Sequence, residues 1–240
     1  AALLHDVVED TPVTIEQIQE QFGPTIAILV DGVTKLTKYD LPDKSKRDAQ
    51  AIRKLFLAMI SDARVIVIKL ADRLHNLRTL DSVSDDRKKR KALETLEIYA
   101  PIAERLGIWK IKGELEDLSF YYLDPVTYNV ISQGLQKSVG AHETILNSII
   151  QTTIDKMMEV GFQGGSFEVT GRRKYNYSIY KKMQTPKYEG KGIDRIYDKL
   201  GIRIIVQSVQ DCYTVLGLIH SEWQPIPGEF DDYIGMRLPS

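Results

Sequence analysis

The feature that most constrains the fold is a change of pattern near residue 160. Up to about residue 122 the apolar residues recur at helical spacing throughout. After the glycines of "VGFQGGSFEVTGRRK" (160–174), segments of strand and helix character alternate in the order β-α-β-α. This order predicts a chain in two parts, an all-α domain followed by an α/β domain.

Local signals place the helices of the first part. In "TPVTIEQIQEQFG" (11–23), Thr14 and Gln17 have the spacing of a capping box, and Gly23 is typical of a helix end. A proline in "LDPVTY" (123–128) marks a break in the pattern. Further helices are predicted over 48–61, 63–80, 85–107 and 112–123, and one or two amphipathic helices over 129–160.

The second part begins with a strand predicted in "SFEVTG" and a helix over 174–184. The β-branched run "LGIRIIVQSV" (200–209) is typical of a buried strand, and residues 211–223 predict a helix. A turn and another short element are predicted over 225–235. The predicted fold class is multidomain, with an all-α domain over 1–122, a helical linker over 123–160 and an α/β domain over 161–240.

Composition excludes several classes of function. The formal net charge is −1, so there is no global field to attract a polyanion, and nucleotide binding requires local basic clusters. Cys212 is the single cysteine, which excludes an internal disulfide and a multi-cysteine zinc site. No apolar run approaches the roughly 18 residues of a membrane span. We therefore expect a cytoplasmic location without a membrane partner.

Two groups of polar residues in the first part have the chemistry of a metal site. His5 and Asp6 are adjacent, and Glu9 and Asp10 follow one helical turn later. Histidine with carboxylates suits Mn²⁺, Fe²⁺ or Zn²⁺, and the second pair could orient or deprotonate a water at such a metal. Taken alone, a His-Asp pair is more often a surface or capping feature.

The second group lies in "KLADRLHNLRTL", where Asp72, Asn76 and Thr79 share one face of a predicted helix. The neighbouring positions are leucines, so this face dips towards the core and the Asp72 carboxylate needs a partner there. A metal ion is one such partner. A surface salt bridge of Asp72 and Arg73 is the alternative.

A local basic patch opens the second part, in "GRRKYNYSIYKKMQ". If the segment is helical, Lys174, Ser178 and Lys182 form one stripe at i, i+4 and i+8, which suits a polyphosphate. Asp198 precedes the predicted apolar strand, where a carboxylate facing this stripe could hold Mg²⁺ with a nucleotide. A solvated helix face and ordinary turn chemistry remain the alternatives.

The combination of "HDVVED" with "ADRLHNL" resembles the HD superfamily of metal phosphohydrolases. More narrowly, "LLHDVVEDT", "LVDGVTKL" and "KLADRLHNLRTL" resemble the hydrolase domain of the long RelA/SpoT homologues. The resemblance implies that His5, Asp6 and Asp72 are three of four Mn²⁺ ligands, the fourth being an upstream histidine outside this chain.

The same resemblance assigns roles to the remaining residues of the first site. It implies that Glu9 and Asp10 handle the attacking water and that Asn76 and Thr79 contact the nucleotide. The implied reaction removes the 3′-pyrophosphate of ppGpp or pppGpp.

The basic patch resembles the synthetase domain of the same family, a relative of the nucleotidyltransferase fold, truncated here at its C-terminal side. The shared pattern is Gly-Arg-x-Lys, then Ser-Ile, then Lys-Met. It implies that Arg172, Lys174 and Lys182 hold the phosphates of ATP, with Ser178 nearby, and that Asp198 is a catalytic Mg²⁺ ligand. The implied reaction transfers pyrophosphate from ATP to the 3′-hydroxyl of GDP or GTP.

The sequence leaves open which activity dominates and whether an alternative function applies. An acidic "EFDD" (229–232) is typical of members that are mainly synthetases, whereas the intact "HDVVED" favours hydrolysis, so either activity could dominate. The ribosome is a possible partner only through regions outside this chain. The alternatives are an HD phosphohydrolase joined to an RNA-binding α/β module, and a helical scaffold without enzymatic activity.

Overall fold

The structure is a computed structural model that describes most of the chain. The described residues are 1–37, 62–136, 139–188, 190, 192, 193, 196, 198–228 and 230–236. The helix predicted over 48–61 lies outside them. Within these ranges, no helix combines the length and the apolar character needed to span a membrane.

The chain divides into two compact units. The first comprises Ala1–Val130 together with Tyr175–Tyr177, and the second comprises Ile131–Lys174 and Ser178–Ser240. Three residues from late in the sequence therefore belong to the early, helical unit.

Short helices open the first unit. They are α1 (Val7–Asp10), α2 (Ile15–Phe22) and α3 (Pro24–Thr37). The predicted capping box is confirmed at the start of α2, where the Thr14 hydroxyl accepts from the Gln17 N–H and the Gln17 side chain accepts from the Thr14 N–H. Gly23 ends α2 with φ of +84°, a conformation that disfavours residues with a Cβ.

The middle of the first unit contains α4 (Ala63–Arg78), α5 (Asp85–Glu94), α6 (Ala100–Arg105) and α7 (Trp109–Leu123). The single helix predicted over 85–107 is interrupted by a π-helical turn, Thr95–Tyr99. Pro101 follows at the first turn of α6, and a proline has no N–H to continue a regular hydrogen-bond ladder.

The core of the first unit fixes the orientation of α4. Apolar residues of α4 are almost fully buried against α7 and the π-helical turn; they include Ile66, Leu70 and Leu77. At the edge of this core, the Arg73 guanidinium binds Glu94 through two 3.0 Å hydrogen bonds and lies 4.1 Å from the Tyr99 ring centroid. Arg73 thus pairs with Glu94 of α5 and not with Asp72.

Two further helices follow, α8 (Pro125–Gln136) and α9 (Val139–Glu159). The second unit then contains β1 (Glu168–Arg173), β2 (Leu200–Ile205) and α11 (Val209–Glu222), and α10 (Asn176–Met183) lies between the strands. The strands pair antiparallel, from Glu168 opposite Ile205 to Arg173 opposite Leu200. The predicted order of an all-α part followed by an α/β part is confirmed.

One glycine brings a helix close to the sheet. A Cβ at Gly171 of β1 would lie 2.7 Å from Cδ1 of Leu146 and 2.8 Å from Cδ1 of Ile150, so the missing side chain lets α9 pack directly on the strand. The short element predicted over 225–235 is not found as a helix or strand, because the described residues there form turns.

Candidate functional site

Three predicted ligands converge in the first unit. His5 and Asp6 lie between a 3₁₀ turn (Ala2–Leu4) and α1, and Asp72 lies in the middle of α4. His5 Nε2 is 3.0 Å from Asp6 Oδ2 and 3.3 Å from Asp72 Oδ1. One ligand atom from each of the three residues lies within 4.8 Å of the other two.

The hydrogen bonds of His5 show what this group lacks. Its Nδ1 lies 2.8 Å from the carbonyl oxygen of Ala2, and a carbonyl only accepts, so Nδ1 carries a proton. Nε2 faces the two carboxylates, and it is buried without a hydrogen-bond partner in the described part of the chain. An imidazole nitrogen and two carboxylates that converge in this way match the ligand set of a divalent metal ion, so these residues fit such an ion.

Asp72 is oriented by its own helix. Lys69 Nζ donates to Oδ2 at 2.9 Å, and Asn76 Nδ2 donates to Oδ1 at 2.7 Å. Burial opposes ionisation of Asp72, but Lys69 and His5 together outweigh it, and the pKa of the carboxyl is lowered. Lys69 is only 6% exposed. Sequence reasoning did not identify Lys69, although a lysine three residues before an aspartate on a buried helix is a usable signal.

The other residues predicted for this site lie around its edge. Glu9 and Asp10 are exposed at the end of α1, and their backbone N–H groups donate to the carbonyl oxygen of Asp6. Asn76 contacts Asp72 directly, which gives it an orienting contact besides any nucleotide contact. Thr79 follows α4, and its hydroxyl donates to carbonyls of the preceding turn.

A second cluster forms in the second unit around Asp198. Its Oδ2 accepts from Lys182 Nζ at 2.7 Å and also from Lys174 Nζ. Burial would raise the pKa of Asp198, but the two ammonium groups lower it below its ordinary value. Oδ1 of the same carboxylate is buried without a hydrogen-bond partner among the described residues. It is therefore available to a cation that also binds phosphate oxygens, as Mg²⁺ does in nucleotide complexes.

The prediction that Lys174, Ser178 and Lys182 lie on one face of a helix is wrong for Lys174. Its N–H donates to the carbonyl oxygen of Lys199 at 2.9 Å, so Lys174 extends the β1–β2 ladder beyond Arg173, and α10 starts only at Asn176. The two lysines nevertheless meet, because one comes from the end of a strand and the other from the last turn of a helix.

The remaining predicted residues of this cluster are more peripheral. Ser178 is half-buried in α10, and Arg172 is exposed on β1, opposite Gly201. In the acidic motif, Glu229 lies outside the described residues. Asp232 accepts from the N–H groups of Ile234 and Gly235 at 2.9 and 2.8 Å and therefore stabilises a turn.

Comparison with protein families matches both parts of the chain. Residues 1–109 match the family described as HD domain, and residues 171–239 match the family described as a region found in RelA/SpoT proteins. The HD domain implies a divalent metal, in agreement with the cluster of His5, Asp6 and Asp72.

Curated relatives match the chain along its whole length. A protein of Synechocystis sp., named probable guanosine-3′,5′-bis(diphosphate) 3′-pyrophosphohydrolase, is 46% identical over 100% of this chain and 31% of its own length. A GTP pyrophosphokinase of Myxococcus xanthus is 45% identical over 99% of this chain and 31% of its own length. The bifunctional (p)ppGpp synthase/hydrolase SpoT of Escherichia coli is 44% identical over 98% of this chain and 33% of its own length.

The chain thus spans about a third of the length of these curated relatives. The matched ranges cover both candidate sites, and the two family matches occur in the same order as the helical and α/β parts of the fold. The chain belongs to the RelA/SpoT family, with an HD domain followed by a RelA/SpoT region.

Proposed function

We propose that the protein to which this chain belongs hydrolyses ppGpp and pppGpp at the first site, releasing pyrophosphate from the 3′ position. The observation that carries this proposal is the convergence of His5 Nε2 with the carboxylates of Asp6 and Asp72. Relatives from Synechocystis and Escherichia coli are named for this chemistry.

In this proposal His5, Asp6 and Asp72 hold Mn²⁺, which supplies Lewis-acid polarisation of the water and the phosphate. Manganese suits a site of one imidazole and carboxylate oxygens. Lys69 and Asn76 keep Asp72 in its ligand rotamer through their hydrogen bonds to its two oxygens.

The substrate and the water are handled by residues at the edge of the site. Glu9 and Asp10, exposed one turn after the ligands, take the proton of the attacking water. The water oxygen bonds to the 3′ phosphorus, and the bond from this phosphorus to the 3′ oxygen of the nucleoside breaks. The released 3′ oxygen takes up a proton and becomes the hydroxyl. Asn76 and Thr79 contact the nucleotide.

We propose the reverse type of chemistry for the second cluster, the transfer of pyrophosphate from ATP to the 3′-hydroxyl of GDP or GTP. Lys174 and Lys182 bind the phosphates of ATP, with Arg172 and Ser178 beside them. Asp198 would hold Mg²⁺ through its available Oδ1, while its Oδ2 spaces the two lysines. The myxococcal relative is named for this activity.

The domain bounds 1–122, 123–160 and 161–240, a cytoplasmic location and contact with the ribosome through regions outside this chain also belong to the proposal. An RNA-binding role of the basic cluster is less well supported, because the match over 171–239 is to a region found in RelA/SpoT proteins. RNA binding would instead require affinity for single strands that falls steeply with salt.

The test is Mn²⁺-dependent release of pyrophosphate from ppGpp by the full protein. His5→Ala and Asp72→Ala each remove a ligand and should abolish release, whereas Glu16→Gln, an exposed change on α2, should leave it intact. Release that persists in both ligand variants would refute the assignment of this site. Formation of pppGpp from ATP and GTP, measured on the same samples, tests the second cluster separately.

A further inference from the structure

One face of α7 holds three residues from the other end of the fold. The residues of this face are Lys110, Gly113, Asp117 and Phe120, which we call the α7 socket; their spacing of three, four and three places them along one side of the helix. The residues they hold are Tyr175–Tyr177, the YNY segment, which belongs to the first compact unit while its neighbours on both sides belong to the second.

The socket is shaped for the first tyrosine of the segment. A Cβ at Gly113 would lie 2.0 Å from Cε2 of Tyr175, so any other residue would collide with the ring. The Tyr175 hydroxyl donates to the carbonyl oxygen of Lys110 at 3.3 Å. At the far end of the socket, the rings of Phe120 and Tyr177 lie 5.6 Å apart. These contacts indicate specific packing of the YNY segment against α7.

Asp117 makes the polar contacts between the α7 socket and the YNY segment. Its Oδ2 accepts from the Asn176 N–H at 3.2 Å, and its Oδ1 accepts from the Tyr177 N–H at 2.8 Å. These are the first two N–H groups of α10, which have no acceptor within their own helix. Tyr175, the residue before the helix, has no side-chain oxygen that can reach back to them as Ser, Thr, Asp or Asn would. Asp117 thus caps α10 from a different helix.

We propose that Asp117 is a positioning residue for the ATP-phosphate cluster, acting through the start of α10. The inference rests on the function proposed above for Lys174, Lys182 and Asp198. Lys174 immediately precedes the YNY segment, and Lys182 lies in the last turn of the short helix that Asp117 caps. Both ammonium groups that meet at Asp198 are therefore held by backbone on either side of the socketed segment.

The consequence for activity follows from the length of α10. The helix spans Asn176–Met183, eight residues, so loss of its first two hydrogen bonds frays a quarter of it. The lysine at its other end then samples more positions relative to Asp198. Asp117 itself does not touch the nucleotide, and its effect is on how often the two lysines are correctly placed for the phosphates.

The test uses the full protein with Asp117→Ala, Asp117→Asn and the control Glu114→Gln. Glu114 lies on the same helix and makes its ion pair with Arg78, away from the YNY segment. We expect KM for ATP to rise about tenfold in Asp117→Ala, because two hydrogen bonds to a charged acceptor are lost. We expect a smaller rise in Asp117→Asn, which keeps one acceptor oxygen, and no rise in the control.

Several readouts separate positioning from general damage. Hydrolysis of ppGpp reports whether the first unit remains folded, and we expect its rate to be unchanged. We also expect KM for GDP to be unchanged. A parallel fall of both activities, or an unchanged KM for ATP in both Asp117 variants, would overturn the inference. If Asp117→Ala does not fold, KM for ATP in Asp117→Asn alone decides whether the inference holds.

A readout independent of catalysis separates this inference from the proposed function. Hydrogen exchange at the Asn176 and Tyr177 amides should accelerate in Asp117→Ala, whether or not the protein makes pppGpp. Absence of synthesis in the unmodified protein would count against the proposed function alone. Unchanged exchange at these two amides would refute the cap itself.

Discussion

The two clusters are each built around one aspartate, and they differ in what they lack. Around Asp72, a second carboxylate and the Nε2 of His5 converge, and one ammonium group, from Lys69, balances part of the negative charge. Around Asp198, two ammonium groups share a single carboxylate. The first cluster has an excess of lone pairs and the second an excess of N–H donors.

This difference determines which class of ligand each cluster can bind. Excess lone pairs in a partly buried site attract a divalent cation, whereas excess ammonium groups attract phosphate oxygens. Asp72 is the more buried of the two, with 10% of its side chain exposed against 40% for Asp198. The central carboxylate of the first cluster is therefore largely shielded from water, whereas that of the second remains accessible to a large polyanion.

Removing one ammonium group from the second cluster gives the largest expected difference between the two clusters. Lys182→Ala should lower synthesis of pppGpp by about 10²- to 10³-fold, the range for loss of one electrostatic contact to a transferring group. Hydrolysis of ppGpp should be unchanged. The matched control is Lys181→Ala, which changes the neighbouring exposed lysine of α10. Equal losses in the two variants would show that total positive charge matters and not the contact with Asp198.

A smaller effect is expected from removing the ammonium group of the first cluster. Lys69→Met leaves Asp72 buried without its cation, and breaking a buried pair in this way costs about 3 kcal/mol of unfolding free energy. Mn²⁺ should restore much of this loss because the metal replaces the missing positive charge. Urea unfolding with and without Mn²⁺ measures both effects.

The control for this experiment is Lys35→Met, which removes an exposed ion pair between residues four apart on α3. It should cost little, and Mn²⁺ should not change the cost. If Lys69→Met were equally harmless, the buried ion pair would not be what orients Asp72.

Sequence reasoning succeeded where the deciding contacts are local. The capping box of Thr14 and Gln17 is set by a spacing of three residues, and the structure confirms it. Asp72 and Asn76 were predicted to share a helix face, and they contact each other at 2.7 Å. Such pairs follow from helix geometry alone, so the sequence contains all the information they need.

The failures come from contacts between distant segments. Lys174 was predicted to lie on a helix because its neighbours have helical spacing, but its N–H pairs with Lys199 across a strand ladder. Asp117 has no partner within a helical turn that would indicate its role, since the groups it caps are about 60 residues away in the chain. No local pattern encodes a cap supplied by another helix.

A third experiment tests whether the acidic motif adds to the charge balance of the second unit. Asp232 accepts from two backbone N–H groups and from the Tyr213 hydroxyl, whereas Asp231 contacts the hydroxyl of Tyr233 at 3.3 Å. Asp232→Lys should lower the melting temperature by loosening the turn. Asp231→Lys should leave it unchanged and reduce the Mg²⁺ concentration needed for synthesis. An unchanged Mg²⁺ requirement would exclude Asp231 from the charge balance.

The smallest expected effect concerns Asp117, a third aspartate whose charge is stabilised by backbone N–H groups and not by an ammonium. Burial is the main cause that raises its pKa to about 6, with nearby Glu116 adding to the rise and the N–H groups of Asn176 and Tyr177 opposing it. A carboxyl with a raised pKa contributes stability at low pH that is lost as the pH rises through the folded pKa.

This sign is opposite to that expected for Asp72 and Asp198, whose pKa values are lowered by lysines. For Asp117, the contribution should fall by about 1 kcal/mol between pH 5 and pH 7.5. Asp117→Asn cannot titrate, so the difference in unfolding free energy between this variant and the unmodified protein should change by that amount across the range. The subtraction removes the titration of groups that the substitution does not affect, and Tyr128, whose pKa is raised mainly by burial, stays protonated across this range. A difference that is constant with pH would mean that Asp117 is charged in the folded protein at pH 5 as well as at pH 7.5, and that the two N–H groups alone offset its burial.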